Sequence, residues 1–362
     1  AVGEVRRTLQ SLGFDVRKVA GFGRKRDMLC GQLTEDGTGP DQNPSAAAAW
    51  LRAPTIKPAQ RVSIVGAGMA GCLLARTLAE RGVHVHLLEA SNTSAGGASG
   101  NPQGALYFNP GLSESDQERF ALTAYLFSQQ RFGEWHRTDD QADWWHPTGL
   151  LQAALDDQAR ARQARIAARW EGCETLLHEV DAETGTRLSG TPVHWGGLHL
   201  PGAGWVAPAA LCAWAIQHPR IHFQGNTRIQ TLQRLPEGGW MLHADNGSRL
   251  TCEHLALCCA QAIGELLDPQ LPLPLKRIRG QITQLPVEAV QSPPQLVLCG
   301  DGYIMPARGQ RVLIGATFDL HDTDAQVKAV SHQDNLEMLE RWLPGVLQPT
   351  KADDLEGRVS FR

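Results

Sequence analysis

The chain has 362 residues and a formal net charge of −4, with 42% hydrophobic and 20% charged residues. This length accommodates one large two-lobed domain plus a smaller fragment. The weakly acidic balance excludes a bulk polyanion binder, so any contact with nucleic acid must come from local basic patches. No apolar run is long enough to span a bilayer, and no signal peptide is visible.

The first 60 residues precede the main domain. Residues 4–12 predict an amphipathic helix, 15–19 a strand, and 20–33 a turn followed by a second strand. Residues 34–60 are rich in Gly, Pro, Asn, Asp, Ala and Thr and predict a linker, in which 45–51 could form a short helix. The chain lacks an initiator methionine and starts inside an apparent domain, so we expect a fragment of a longer polypeptide.

Residues 61–89 carry the most informative motif of the chain. A predicted strand at 62–65 runs into a G-x-G-x-x-G turn. In such a turn Gly66 permits the tight bend, Gly68 lets the backbone approach a pyrophosphate, and Gly71 lets helix and strand pack closely.

The segment after the glycines completes this motif. A helix predicted at 72–81 directs its N-terminal N–H groups at the pyrophosphate, with Met69 and Ala70 in the binding turn. A second strand at 83–88 ends at Glu89, whose carboxylate can accept hydrogen bonds from both ribose hydroxyls. Because strands, helix and acid are in register, the sequence predicts a dinucleotide site.

The remaining elements alternate helices with strand-rich stretches. We predict helices at 115–137, 152–170, 208–217 and 331–342, strand-rich segments at 185–200 and 221–252, a strand at 255–260, and an antiparallel sheet over 273–317. This order predicts an α/β fold in which a Rossmann-like βαβ lobe is interleaved with an antiparallel β-rich substrate lobe.

The segment SAGGASGNPQGAL at 94–106 favours FAD over NAD, because small residues suit backbone that wraps around more phosphate and the ribityl chain. The chain here resembles the D-amino-acid oxidase and glycine oxidase superfamily of flavoproteins. Arg279-Gly280-Gln281 at a strand start, the hairpin formed by 301–306 and 312–317, and the strand 255–260 agree with this resemblance. Besides the glycine turn and Glu89, it implies FAD contacts from Ala98, Ser99, Gly100, Asn101, Gln103 and Gly104.

Within that superfamily, GGASGNPQGAL is similar to the oxidoreductase part of the family of bifunctional tRNA 5-methylaminomethyl-2-thiouridine biosynthesis proteins. Residues 1–33 look like the closing helix and hairpin of the methyltransferase domain that precedes it. The resemblance implies a methyltransferase tail at 1–33, a linker at 34–60, and an FAD-dependent oxidoreductase domain at 61–362 that is truncated at its C-terminus. S-adenosylmethionine would bind only in the missing part of the methyltransferase domain.

The resemblance also implies a reaction. FAD-dependent oxidation removes the carboxymethyl group from 5-carboxymethylaminomethyluridine at the tRNA wobble position, and imine hydrolysis leaves 5-aminomethyluridine for methylation with S-adenosylmethionine. The tRNA is the expected partner, because an unpaired wobble base is readily splayed into a pocket.

Two residues match the superfamily's substrate site. Arg362 falls where that superfamily places a carboxylate-binding Arg, since a guanidinium matches a carboxylate bidentately. Tyr303 is the matching hydroxyl. The alternatives are a surface or interlobe Arg and a half-buried strand Tyr.

Eight cysteines are scattered at 30, 72, 173, 212, 252, 258, 259 and 299, and none forms a C-x-x-C pair. The histidines lack metal-ligand spacing, and we interpret His84 and His86 as structural. This pattern favours reduced thiols in a cytoplasmic protein that binds no metal and no membrane.

Other interpretations remain open. A free glycine- or sarcosine-type amino-acid oxidase explains the flavin motifs but not residues 1–33, and a non-catalytic tRNA-binding remnant would keep the fold without flavin turnover. The basic residues Lys276, Arg277 and Arg279 could contact tRNA phosphates or lie on a solvated strand edge. Likewise, residues 144–146 (Trp-Trp-His) could stack on a base or pack between lobes.

Overall fold

The computed structural model describes residues 2–21, 26–33, 59–139, 142–267 and 273–361. Contacts divide the chain into two compact units, 1–58 and 59–362. The predicted linker, with its helix at 45–51, lies outside the described residues except for Ala59 and Gln60, and so does Arg362.

The first unit is a helix followed by a hairpin. It comprises α1 (Val2–Ser11), β1 (Phe14–Ala20) and β2 (Asp27–Leu33). The strands pair antiparallel from Phe14↔Leu33 to Ala20↔Asp27, and an ion pair of 2.7 Å joins Lys18 to Asp27. The helix and hairpin predicted for this segment are confirmed.

The second unit contains the remaining elements. Its helices are α2 (Met69–Glu80), α3 (Asp116–Arg137), α4 (Asp157–Arg169), α5 (Ala182–Ser189), α6 (Pro208–Ala215), α7 (Ile263–Leu266) and α8 (Ala329–Trp342). Its strands are β3 (Arg61–Val65), β4 (His84–Leu88), β5 (Gly104–Leu106), β6 (Trp145–His146), β7 (Leu150–Ala153), β8 (His178–Val180), β9 (Gly197–Leu200), β10 (Gly204–Val206), β11 (Ile221–Gln224), β12 (Ile229–Arg234), β13 (Trp240–Ala244), β14 (Arg249–Cys252), β15 (Leu255–Leu257), β16 (Arg279–Pro286), β17 (Val297–Cys299), β18 (Tyr303–Ile304), β19 (Arg311–Gly315) and β20 (Glu356–Phe361).

A parallel sheet of order β11-β4-β3-β15 forms the first lobe. Its central strands carry the fully buried side chains of Ile64 and Leu87, as expected for strands covered on both faces. Cys72 of α2 and Cys212 of α6 belong to the same core. The return of β15 beside β3, predicted for 255–260, is confirmed by the pairing Leu255↔Ser63.

The second lobe is built on an eight-stranded sheet of order β20-β16-β19-β18-β17-β7-β9-β8. All its pairings are antiparallel except the one between β17 and β7. Smaller sheets of order β12-β13-β14 and β5-β10-β6 complete the fold. The predicted fold class, a βαβ lobe interleaved with an antiparallel β-rich lobe, is confirmed.

Two segments differ from their predicted structure. The helix predicted at 152–170 begins only after Asp156, which caps it by accepting the N–H of Ala159 at 2.6 Å. Gln152 and Ala153 instead belong to β7, because the apolar run that starts at Leu150 is buried in the sheet.

The segment 185–200, predicted to be strand-rich, begins inside a helix. Asp181 caps α5 by accepting the N–H of Thr184 at 2.8 Å, and Gly190 with φ +70° ends it. The Gly and Thr residues of α5 have low helix propensity, so the sequence favoured a strand. Only the end of this segment, in β9, is extended.

The aromatic run at 144–146 packs in the core. Trp144 and Trp145 are both buried, and their rings contact Phe132 at centroid distances of 5.5 and 5.8 Å. Trp144 also lies 5.0 Å from Trp214. The packing interpretation is therefore confirmed, and neither indole is available to stack on a base.

Candidate cofactor and substrate site

The glycine turn after β3 is closed by backbone contacts. Gly66 has φ +102°, and a Cβ there would lie 2.5 Å from the carbonyl oxygen of Cys258. A Cβ at Gly71 would lie 1.9 Å from the carbonyl oxygen of Gly66. At Gly68, by contrast, it would meet only the side chain of Ser99, at 3.1 Å, so the space in front of the turn is open.

Helix α2 begins at Met69, earlier than predicted, with Gly68 as its N-cap residue. The low helix propensity of glycine hides this first turn in the sequence. Gly68 has no side chain to cap the helix, and the Oγ of Ser99 instead accepts the N–H of Met69 at 2.9 Å. The predicted residues Met69, Ala70 and Gly71 thus form the first turn of a helix, where N–H groups bind anions.

Glu89 accepts backbone N–H groups both from the glycine turn and from the segment that follows β4. Its Oε2 accepts the N–H of Ala67 at 2.7 Å, and its Oε1 accepts the N–H of Ser91 at 3.0 Å. Because each carboxylate oxygen has a further lone pair, both remain able to accept a ribose hydroxyl. The sequence predicted the acid but not its contacts with the backbone.

The second wall of the site is the loop 96–101, which includes a 3-10 helix at Ala98–Gly100. A Cβ on Gly97 would meet no atom within 4 Å, so this position faces open space. The Oγ of Ser360 lies 3.1 Å from the Oδ1 of Asn101, and the guanidinium of Arg358 donates to the carbonyls of Gly96 and Gly97.

Sequence reasoning missed Arg358 and Ser360. Arg358 and Ser360 lie two residues apart on β20, and alternate strand residues share one face. The two-residue spacing of a strand is the sequence signal that could have indicated them.

Gln103 and Gly104 lie where the loop enters the substrate lobe. Gln103 is buried, and its Nε2 donates to the carbonyl of Pro306 at 3.0 Å. Gly104 begins β5 and pairs with Val206 of β10. The side chain of Gln103 therefore joins this segment to the turn between β18 and β19.

Tyr303 lies on β18, between Cys299 of β17 and Gly315 of β19. Its hydroxyl would be 3.1 Å from a Cβ at Gly315, so a side chain there would displace it. Burial raises the pKa of the Cys299 thiol to about 12, so this thiol is protonated near neutral pH.

Tyr107, which follows β5, is a hydroxyl that the sequence did not indicate. Partial burial, and secondarily Cys299, raise the pKa of Tyr107, a residue that is still 39% exposed. Its phenol therefore stays protonated at neutral pH and can donate a hydrogen bond. Tyr303 pairs with Cys299 across the sheet, and Cys299 also contributes to the raised pKa of Tyr107.

Both interpretations of Arg279 were wrong. Its side chain is 1% exposed, and it donates from Nε to the carbonyl of Asp324 and from Nη2 to the carbonyl of Gln326, each at 2.7 Å. It also lies 3.4 Å from a carboxylate oxygen of Asp322. Arg279 therefore anchors the segment before α8, whereas Lys276 is exposed.

Cys72 and His86, in the lobe that carries the glycine turn, each interact with a neighbouring side chain. All eight cysteines are unpaired, and a hydrogen bond with Cys212, followed by burial, raises the pKa of the Cys72 thiol. His86 lies 2.9 Å from the Oε1 of Gln224, and burial lowers its pKa. Within the described ranges, no group of three or more His, Cys, Asp or Glu side chains is placed to hold a metal ion. In the same ranges, every helix is too short or too polar to cross a membrane.

A family model described as FAD dependent oxidoreductase matches residues 61–362. This chain belongs to the FAD-dependent oxidoreductase family. The glycine turn and the loop of this oxidoreductase fit the cofactor, because space is open at Gly68 and Gly97 beside a helix N-terminus that suits a diphosphate. A second model, S-adenosyl-L-methionine-dependent methyltransferase, matches residues 1–34.

Two curated relatives match the oxidoreductase over its whole length. The chain is 41% identical over 369 residues to the tRNA 5-methylaminomethyl-2-thiouridine biosynthesis bifunctional protein MnmC of Marinobacter nauticus, an alignment that covers 100% of the chain and 55% of the relative. It is 35% identical to the protein of the same name from Hahella chejuensis, covering 100% of the chain and 56% of the relative. The chain therefore spans about half the length of the curated relatives it matches.

Solved structures that this chain resembles include two oxidases of small amines and amino acids. Glycine oxidase from Geobacillus kaustophilus superposes with a TM-score of 0.68 at 20% identity, covering 84% of this chain and 83% of that one. Iminodiacetate oxidase from a Chelativorans species superposes with a TM-score of 0.65 at 24% identity, covering 83% of both chains. These likenesses establish the D-amino-acid oxidase type of fold.

Proposed function

We propose that this chain is the oxidoreductase part of an enzyme that removes the carboxymethyl group from 5-carboxymethylaminomethyluridine at the tRNA wobble position, giving 5-aminomethyluridine. The observation that carries this proposal is the order of the two family matches within one chain. A methyltransferase match at 1–34 precedes the oxidoreductase match at 61–362 in the same chain, as expected for a bifunctional enzyme. The relatives named for that tRNA modification align with all of it.

The site offers a cradle for the cofactor. We assign FAD contacts to the turn residues Gly66, Gly68, Met69, Ala70 and Gly71, to Glu89, and to the loop residues Ala98, Ser99, Gly100, Asn101, Gln103 and Gly104. The first turn of α2 would hold the diphosphate, and Glu89 would accept hydrogen bonds from the ribose. Bound FAD supplies the acceptor for the two electrons of the reaction.

The substrate side chain contains a secondary amine that carries a carboxymethyl group. Oxidation converts the bond between this nitrogen and the carboxymethyl carbon into an imine. Water then adds to that carbon and the C–N bond breaks, releasing glyoxylate and the primary amine. The protein has to fix the carboxylate, exclude competing water and orient the C–H bond.

Arg362 and Tyr303 are the residues to which we assign this task. A guanidinium at 362 would bind the carboxylate bidentately, and the hydroxyl of Tyr303 would donate to it. Tyr107, the residue that follows β5, offers a second hydroxyl donor. Arg362 lies outside the described residues, so its role rests on its position in the motif GRVSFR.

We further propose that residues 1–33 are the end of a methyltransferase domain, that 34–60 are a linker, and that the full-length protein methylates the amine with S-adenosylmethionine in the cytoplasm. Tethering the two activities raises the local concentration of the amine intermediate. A free amino-acid oxidase would have no use for such a segment.

Anaerobic reduction of the flavin in the full-length protein tests the proposed substrate. The protein receives tRNA carrying 5-carboxymethylaminomethyluridine, tRNA with an unmodified wobble uridine as the matched control, or free glycine. We expect the modified tRNA alone to bleach the visible flavin band. Bleaching by glycine alone would identify a small-molecule oxidase, and absence of any flavin band would favour the non-catalytic remnant.

A further inference from the structure

Arg358 connects two parts of the molecule that are distant in the sequence. It lies on β20, at the edge of the eight-stranded sheet, opposite Ile282 of β16. Its Nη2 donates to the carbonyl oxygen of Gly96 at 3.0 Å and to that of Gly97 at 2.6 Å. One guanidinium nitrogen thus holds the loop that forms a wall of the cradle.

The contact is close enough to constrain the sequence of the loop. A Cβ on Gly100 would lie 2.4 Å from the Nη2 of Arg358 and 2.6 Å from its Cζ. The guanidinium therefore lies against the backbone of the loop, and the carbonyl oxygen of Ala95, 2.7 Å from the same Cβ, is a backbone obstacle that could not rotate aside. Ser360, on the same face of β20, adds its contact with Asn101 at 3.1 Å.

The loop in turn reaches the N-terminus of α2. Ser99, next to Gly100, accepts the N–H of Met69, the first residue of that helix. A displacement of the loop would therefore be passed to the turn that we assign to the diphosphate. The path from β20 to this turn runs through Arg358, the loop and Ser99.

One donor of this guanidinium has no partner among the residues that the structure describes. The Nε of Arg358 is buried and makes no hydrogen bond to any described residue. A buried donor without an acceptor is unfavourable, and natural proteins rarely leave one unless a ligand or water supplies the acceptor. This atom belongs to the same guanidinium whose Nη2 is bound to the loop that forms a wall of the cofactor cradle.

We propose that Arg358 is a cofactor-positioning residue, which clamps the loop 96–101 with Nη2 and donates from Nε to an oxygen atom of bound FAD. This inference rests on the proposed place of FAD in the cradle. It gives β20 a role in cofactor binding, because the strand would hold FAD through the side chain of Arg358.

The test measures the FAD dissociation constant of the full chain after removal and re-addition of the cofactor. Arg358→Ala loses the clamp and the free donor, and Arg358→Lys keeps the charge but lacks Nε. Arg311→Ala is the matched control, because Arg311 lies on β19 of the same sheet and its guanidinium is 2.9 Å from Glu356 at the start of β20. Chemical unfolding of the FAD-free proteins reports any loss of fold.

We expect Arg358→Ala to raise the dissociation constant at least about tenfold, which corresponds to the loss of one charge-assisted hydrogen bond. Arg358→Lys should recover only part of this affinity, whereas Arg311→Ala should bind FAD as the wild type does. Wild-type affinity in Arg358→Ala, or an equal loss in Arg311→Ala, would overturn the proposal. Full rescue by Lys would overturn the contact from Nε.

Gly68→Val distinguishes a wrong role for Arg358 from a wrong position of the proposed FAD site. A larger side chain at Gly68 would fill the open space in front of α2. If Gly68→Val abolishes FAD binding while Arg358→Ala leaves it unchanged, the cradle is correct and the role of Arg358 is wrong. If neither substitution changes FAD affinity, the proposed place of FAD is wrong.

Discussion

Gly71→Ala should destabilise the protein although alanine is the better helix former. Gly71 lies in the first turn of α2, and an added Cβ would be 1.9 Å from the carbonyl oxygen of Gly66 and 3.3 Å from the Cβ of Cys258. Relief of this contact requires α2 to move away from the glycine turn by at least about 1 Å, since Cβ atoms do not approach other atoms within 3.0 Å. The obstacle is backbone, which cannot rotate aside as a side chain can.

Gly133→Ala is the matched control, because Gly133 lies inside α3 and a Cβ there would meet no atom within 4 Å. Both substitutions gain the same helix propensity, roughly 0.5–1 kcal/mol. Their difference therefore isolates the steric cost at Gly71, for which overpacking in well-packed sites suggests about 1–3 kcal/mol. We expect Gly133→Ala to be slightly more stable than the wild type and Gly71→Ala to be less stable.

The assay is urea unfolding followed by circular dichroism on FAD-free protein, so that cofactor binding does not contribute to the measured stability. A second titration measures FAD affinity, which should fall in Gly71→Ala because the N–H groups of the turn are displaced. Equal stabilisation in both variants would show that α2 does not approach the turn closely, and would refute the reasoning.

Three further perturbations follow from the site and the core. Glu89→Ala should lower the ratio of FAD to protein after gel filtration, since it removes a ribose acceptor and two backbone contacts; an unchanged ratio would argue against that role. Arg362→Ala should lower kcat/KM for modified tRNA by about 2–3 kcal/mol in transition-state terms, and wild-type kinetics would contradict its role as the carboxylate anchor. Burial, and secondarily His178, lower the pKa of His199 from 6.5 to about 4, so the folded state binds fewer protons than the unfolded state in that range. The contribution of His199 to stability should therefore be complete above about pH 6.5 and should be lost as the pH drops towards 4. His199→Gln should reduce this dependence of the unfolding free energy on pH. His194→Gln, at an exposed position, should leave it unchanged.

The elements that local rules predicted well are those with strong periodic or capping signals. The helix predicted at 115–137 is α3, and its Ser115 accepts the N–H of Glu118 at 3.1 Å as an N-cap residue should. The hairpin predicted from 301–306 and 312–317 appears as β18 and β19, with Tyr303 opposite Gly315. In these cases neighbouring residues in the chain supply most of the information.

The errors arose where the tertiary environment overrode local propensity. Arg279 follows two other basic residues, so the sequence favoured an exposed position. The segment 319–328 supplies backbone carbonyls and a carboxylate that make its burial favourable. Similarly, β7 took residues from a predicted helix because two neighbouring strands were available to pair with them.

The sequence by itself determined the motif of the cofactor site, because strand, glycine turn, helix and acid are contiguous and each glycine answers a local steric demand. It also determined the family, through short motifs whose order and spacing are preserved along the chain. Only the tertiary structure decided which residues complete the cradle. Arg358 is 261 residues from Gly97 along the chain, and their contact exists because the edge of the eight-stranded sheet is brought against the loop. Contacts between residues so far apart depend on how sheets pack, which no local pattern encodes.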